Sequence, residues 1–160
     1  KIGLKKISYG YESFSAGKDR NLIFLDEKNF NFIPLICYEI IYSGKINLKS
    51  DKTNFIINIS EDGWFGNSIG PHQHFSHSIF RAIEEGKNII RASNNGISAY
   101  IDSNGIIIDK LESTNKGVIE INNYKNSKKT FFSKFGNKIF FYFIIFYISL
   151  LFFNYNRERK

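Results

Sequence analysis

Residues 139–155, IFFYFIIFYISLLFFNY, contain no charged side chain. Apolar residues surround every face of the helix this run would form, which argues against a surface amphipathic helix. At ~1.5 Å per residue the run is about 25 Å long as a helix. Gly136, Asn137 and Lys138 bring it near the ~30 Å of a bilayer core. Aromatic residues lie near both ends and cations lie just beyond them, as membrane interfaces favour. A buried core helix is the alternative, since the uncharged run is slightly short for a span. The sequence favours a transmembrane helix.

That helix divides the chain. Residues 1–121 read as a folded unit, 122–138 as a basic, Asn-rich linker, 139–155 as the span and 156–160 as a polar tail. Lys125, Lys128, Lys129, Lys134 and Lys138 precede the span; Arg157, Arg159 and Lys160 follow it. A bare positive count puts the folded unit on the cytoplasmic side. The chain begins at Lys1 and holds no methionine, so it is expected to be a piece of a longer protein. Its net charge of +7 suits an anionic partner, lipid head groups or nucleic acid. One cysteine excludes an internal disulfide and leaves the redox compartment open.

Within the folded unit, residues 1–20 read as an irregular surface segment. Two short apolar runs flank a turn at Asp26–Asn29, which predicts a hairpin. Residues 30–37 and 53–60 are apolar at nearly every position, as in strands covered on both faces. Pro71 and Gly86 bound a helix with Phe75, Ile79, Ala82 and Ile83 on one face. Residues 88–93, 97–102, 106–111 and 116–121 read as strands, with Ser103-Asn104-Gly105 turning between two of them. Strands alternate with a helix and then run on as hairpins, so the fold class is α/β with a mixed sheet.

Two clusters carry candidate chemistry. The first is PLICYEI, residues 34–40, around Cys37. A lone cysteine in an apolar strand is commonly a small buried hydrophobe. Here the strand stops at the cysteine and polar Tyr38 and Glu39 begin, and ligand sites in α/β sheets gather at the carboxyl ends of strands. A sharp turn would also aim the Tyr38 N–H at a substrate carbonyl, as an oxyanion hole requires. The second cluster, residues 58–74, sets Trp64 and Phe65 in a glycine-rich loop, either as a ligand or membrane wall or tucked back into the core. His72, His74 and His77 do not share a helix face and have no cysteine partner, so a metal site is not expected. No P-loop or G-x-S-x-G elbow is present. The Lys-rich linker lacks interleaved stacking aromatics, so nucleic acid is not expected either.

The runs PLICYEI, ISEDGWFGNSIGPHQHF, RAIEEGKNIIRASNNGISAYIDSNGIII and KKTFFSKFGNKIFF, in this order, resemble the C-terminal part of the apolipoprotein N-acyltransferase family. These are integral membrane members of the nitrilase, or carbon–nitrogen hydrolase, superfamily. The resemblance covers the chain from about Ser8 onward. It implies the C-terminal part of a nitrilase-like αββα sandwich followed by one transmembrane helix. The domain would lie outside the bacterial inner membrane, on a multi-pass bundle whose last helix is 139–155. That topology disagrees with the bare positive count, and the resemblance is preferred because earlier helices would fix the orientation.

The resemblance also implies a Glu-Lys-Cys triad with Cys37 as nucleophile. A phospholipid is the implied acyl donor and a diacylglyceryl apolipoprotein the acceptor, with no cofactor. The Glu and Lys would lie upstream; no position before Cys37 matches them, so the piece alone is expected to be inactive. Tyr38 and Glu39 would shape the pocket and hold the cysteine loop, and Trp64 and Phe65 would form a lipid-facing wall. Glu61, where asparagine is common, and His72, where a bulkier apolar residue is common, depart from the pattern. Two other readings stay open: a nitrilase-like amidase acting on a small amide, and a membrane-anchored binding module in which Cys37 is merely buried.

Overall fold

The computed structural model describes residues 21–25, 30–46, 53, 55–124 and 126–158. The segment 1–20 and the turn at 26–29 lie outside these residues.

Six strands form one sheet in sequence order: β1 (Ile23–Leu25), β2 (Phe30–Ile36), β3 (Phe55–Glu61), β4 (Asn88–Asn94), β5 (Ser98–Ile101) and β6 (Ile107–Leu111). The central strands β2, β3 and β4 are parallel. The edges are antiparallel, β1 on β2 at one side and β4–β5–β6 at the other. The expected hairpin between residues 23 and 36 is therefore present as antiparallel pairing. The turn between β5 and β6 is tied by Asp102, whose Oδ1 accepts the N–H of Asn104 and of Ile106, each at 2.9 Å. Parallel pairing of β3 with β4 requires a crossover, supplied by helix α1 (Gly70–Glu85).

The pairing register sorts side chains onto two faces. Ile33 stands beside Ile56 and Ile89, and Leu35 beside Asn58 and Arg91. This face is buried beneath α1, where Phe75 and Ala82 join the core. The opposite face carries Pro34, Ile57 and Ile90, then Ile36, Ile59 and Ala92, by strand alternation. Ile36 is 65% exposed and Ile59 54%. The strands expected to be covered on both faces are thus fully covered on one, and the open face is the apolar surface a second layer would meet.

Helix α1 departs from its predicted face. Phe75 and Ala82 are buried, but Ile83 is exposed, and the inward positions include polar His74, Ser78, Arg81 and Glu85. The helix is rotated toward these residues because it packs on charged and carbonyl groups at the strand ends as well as on isoleucines. Glu85 is buried, and among the described residues neither carboxylate oxygen has a hydrogen-bond partner. Burial and then the neighbouring Glu84 charge push its carboxyl up to about 7, against the pull of Lys87 and Arg81.

Residues 116–121 do not form a strand, a correction to the sequence reading. Val118 is exposed, and no strand pairs with β6 on that side among the described residues. Alternation alone does not make a strand, even beside the open edge of β6. Nor is 122–138 a featureless connector. Tyr124 packs its ring edge on Phe55 at 4.8 Å, and the Lys128 N–H donates to the Gly86 carbonyl at 2.9 Å. The Thr130 hydroxyl donates to the Glu84 carbonyl and also caps a short helix, α2 (Phe131–Phe135). Helix α3 (Lys138–Glu158) follows, long and apolar enough to cross a membrane and with none of its apolar stretch buried. It is a candidate membrane span, and among the described residues it does not pack into a core.

Two outcomes follow from these contacts. Gly86 ends α1 at φ +62°, and a Cβ there would overlap the Lys128 carbonyl. Gly86→Ala should cost at least about 1–3 kcal/mol in unfolding measurements. A carboxyl whose pKa folding has raised binds its proton more tightly in the native state. Its penalty is therefore absent below the ordinary glutamate value of 4.5 and grows as pH rises toward 7. Thermal melting of Glu85→Gln should lack the decline between those pH values that the wild type shows.

Candidate active site

Strand β2 stops at Ile36 because Cys37 turns the chain: its φ is +50°, a left-handed conformation rare for a residue with a Cβ. Cys37 opens a 3-10 helix, Cys37–Ile41. Such a turn persists only when its surroundings over-determine it. Glu39 Oε2 accepts the Ile36 N–H at 2.7 Å, straddling the turn. Asn58 Nδ2 donates to the Leu35 and Cys37 carbonyls, 3.2 Å each. Ile40 is fully buried and anchors the 3-10 helix in the core. Cys37 is half-buried, and its Sγ lies 3.5 Å from the Ser60 hydroxyl oxygen.

Beneath this turn lies a charged network with no access to water. Arg91 donates through Nη1 to Asn58 Oδ1, through Nη2 to Asp62 Oδ2 at 2.7 Å and through Nε to the Ile97 carbonyl at 3.2 Å. His74 Nδ1 lies 2.8 Å from Asp62 Oδ1, which also accepts from Ser60 at 2.9 Å. With Asp62 accepting, Nδ1 carries the proton, and Nε2 is buried with no partner among the described residues. Burial alone would raise the Asp62 carboxyl. The His74 bond, the Arg91 charge and the Ser60 hydroxyl outweigh it and hold the carboxyl well below the usual range.

The R-x-x-N-N-G motif now has a physical account. Arg91 enters the network, and the Asn94 and Asn95 amides both donate to the Glu61 carboxylate. Those two amides and the Gly63 N–H lower the Glu61 carboxyl. Gly96 passes so close that a Cβ would overlap the Asp62 carboxylate and the Ser93 hydroxyl.

Cys37, Tyr38 and Glu39 share one turn, and the two sequence clusters meet at His74. Its ring sits 5.4 Å from the Tyr38 ring and 5.7 Å from the Phe65 ring. Phe65 is half-buried, whereas Trp64 is 74% exposed and stands apart. His74 is buried, while His72 is exposed. A polar cleft of about 580 Å³ opens on the far side of the loop, lined by Gly63, Asn67, Ser68, His72, Asn95 and Thr114. Sequence reasoning did not assign Asn58, Ser60, Asp62, His74 or Arg91. One signal was available: strand alternation puts Arg91 on the same inward face as Ile89, and an arginine there demands a partner.

The carbon–nitrogen hydrolase family model matches residues 11–122. The chain belongs to the carbon–nitrogen hydrolase family. Its similarity extends to proteins named apolipoprotein N-acyltransferase. One from Rickettsia bellii is 40% identical over 155 residues, which is 96% of this chain and 30% of that protein. One from Wigglesworthia glossinidia brevipalpis is 46% identical over 125 residues, 76% of this chain and 25% of that protein. One from Allorhizobium ampelinum is 42% identical over 118 residues, 74% and 22% respectively. The chain thus spans less than a third of the length of these relatives.

Removing one member of a buried ion pair strands its partner. Arg91→Met should lower unfolding stability by about 3–5 kcal/mol. Because folding lowers the Asp62 pKa, its contribution is complete above the ordinary aspartate value of 3.8 and is lost as pH falls below it. Acid unfolding of Arg91→Met should show a weaker dependence in that range.

Proposed function

We propose that this chain is the C-terminal part of an apolipoprotein N-acyltransferase. Cys37 carries a fatty acyl group from a phospholipid to the N-terminal amine of a diacylglyceryl-cysteine. One combination of features carries the reading: a cysteine in a strained turn at the carboxyl end of a parallel strand, in a chain that also bears an unburied apolar helix. The names of the similar proteins support it.

The chemistry takes two half-reactions. A general-base glutamate outside this segment takes the thiol proton, and the sulfur attacks the acyl ester carbonyl. The C–O bond breaks, the lysophospholipid leaves with a proton, and a thioester remains on Cys37. The acceptor amine then attacks that carbonyl, the C–S bond breaks and the thiol is restored. A lysine, also outside this segment, and the Tyr38 N–H stabilise each tetrahedral oxyanion. Tyr38 and Glu39 hold the cysteine turn and shape the pocket. Trp64, by its exposure, and Phe65 form the lipid-facing wall. Residues 139–155 are the last of several spans in the bacterial inner membrane, with the catalytic domain on the periplasmic side.

In the full-length protein given labelled phospholipid, a hydroxylamine-sensitive acyl adduct should form on Cys37 and vanish in Cys37→Ala. An adduct that survives the substitution, or none in the wild type, overturns the mechanism. Ammonia release from small amides without lipid acylation would point instead to an amidase.

A further inference from the structure

The loop leaving the cysteine turn is fastened to the start of the apolar helix. Asn137, the last residue before α3, donates its side-chain amide to the Ser43 carbonyl at 3.0 Å. The Ser43 hydroxyl donates to the Glu84 carboxylate at 3.0 Å. Arg81 Nη2 donates to the same carboxylate at 3.0 Å, and its Nε lies 3.0 Å from the other oxygen in an ion pair. Its Nη1 donates to the carbonyl of Ile41, the last residue of the 3-10 helix that Cys37 begins, at 3.2 Å. Thr130, the N-cap of α2, closes the set on the Glu84 carbonyl. Arg81 is 4% exposed, so its charge is committed to this arrangement.

We infer that Asn137, Ser43, Glu84 and Arg81 form a clamp that fixes the height of Cys37 above the bilayer. This rests on the acyltransferase reading. The uncharged run begins at Ile139, so Asn137 and the Ser43 carbonyl it holds lie at the membrane surface. From Ser43 back to Cys37 the chain can extend no more than about 20 Å, and the 3-10 turns shorten it further. Tyr38 and Tyr42, both exposed, flank this stretch, as aromatics do at a lipid interface. A phospholipid ester lies at a fixed depth, so a nucleophile meant for it needs a fixed height, whereas a soluble ester imposes no such demand. Asn137 is accordingly a positioning residue: it touches no reacting atom.

The test uses the full-length protein in vesicles of phosphatidylethanolamine and phosphatidylglycerol. Cys37 acylation from vesicle lipid is measured beside the p-nitrophenolate burst from soluble p-nitrophenyl butyrate. Asn137→Ala should slow acylation from lipid about tenfold or more and leave the burst unchanged. Glu84→Gln, which keeps an acceptor for Ser43 but loses the ion pair, should show the same split. Equal losses on both substrates, or no loss on either, overturn the clamp alone. A wild type that gives the burst but takes no acyl group from vesicles overturns the acyltransferase reading and the clamp with it.

Discussion

Asp62 and Arg91 meet at 2.7 Å with neither side chain open to water. Stripping water from two charges costs several kcal/mol per ion, and attraction alone seldom repays it. The balance is struck by neighbours. Asn58, His74, Ser60 and the Ile97 carbonyl take up the remaining hydrogen-bonding capacity. Those partners come from β3, from α1 and from the turn after β4, so the pair forms only when all have docked. Asn58 spends its amide on the carbonyls on both sides of the cysteine turn. The left-handed backbone at Cys37 therefore depends on a charge pair one layer below it.

This arrangement distributes rigidity unevenly. The carboxyl ends of β2, β3 and β4 are locked by polar groups. The sheet face away from α1 is apolar and half-open, ready for a layer contributed by other residues. Trp64 extends from a loop whose base is fixed by Glu61 and Phe65 but which has nothing over its own ring. The cysteine turn is thus rigid, while the apolar margin beside it stays open.

Much of the fold was legible because it depends on local pattern. Apolar runs located β2 and β3, Pro71 and Gly86 bounded α1, Ser103–Gly105 located a turn, and the uncharged run located α3. The errors share a cause: each residue's state was decided by a distant partner. Residues 116–121 alternate like a strand but do not pair, although β6 leaves an open edge beside them. His74 looks like a surface group until Asp62 is placed beneath it. Ile83 looks inward until Arg81 and Glu85 claim that side of the helix. The place of Cys37, Tyr38 and Glu39 at a strand end was legible from the sequence. The supporting network was not, since Asp62, His74 and Arg91 are spread over three elements and form a unit only in the folded chain.

The stretch from Tyr124 to Thr130 has a consequence in time rather than space. Its contacts with Phe55, Gly86, Glu84 and the Thr53 carbonyl finish the amino-terminal rim of the sheet. None of them can form until those residues leave the ribosome, immediately ahead of the most apolar segment in the chain. Completion of this rim and the emergence of that segment thus follow one another almost at once, which shortens the interval in which an unfinished sheet waits beside a long apolar helix.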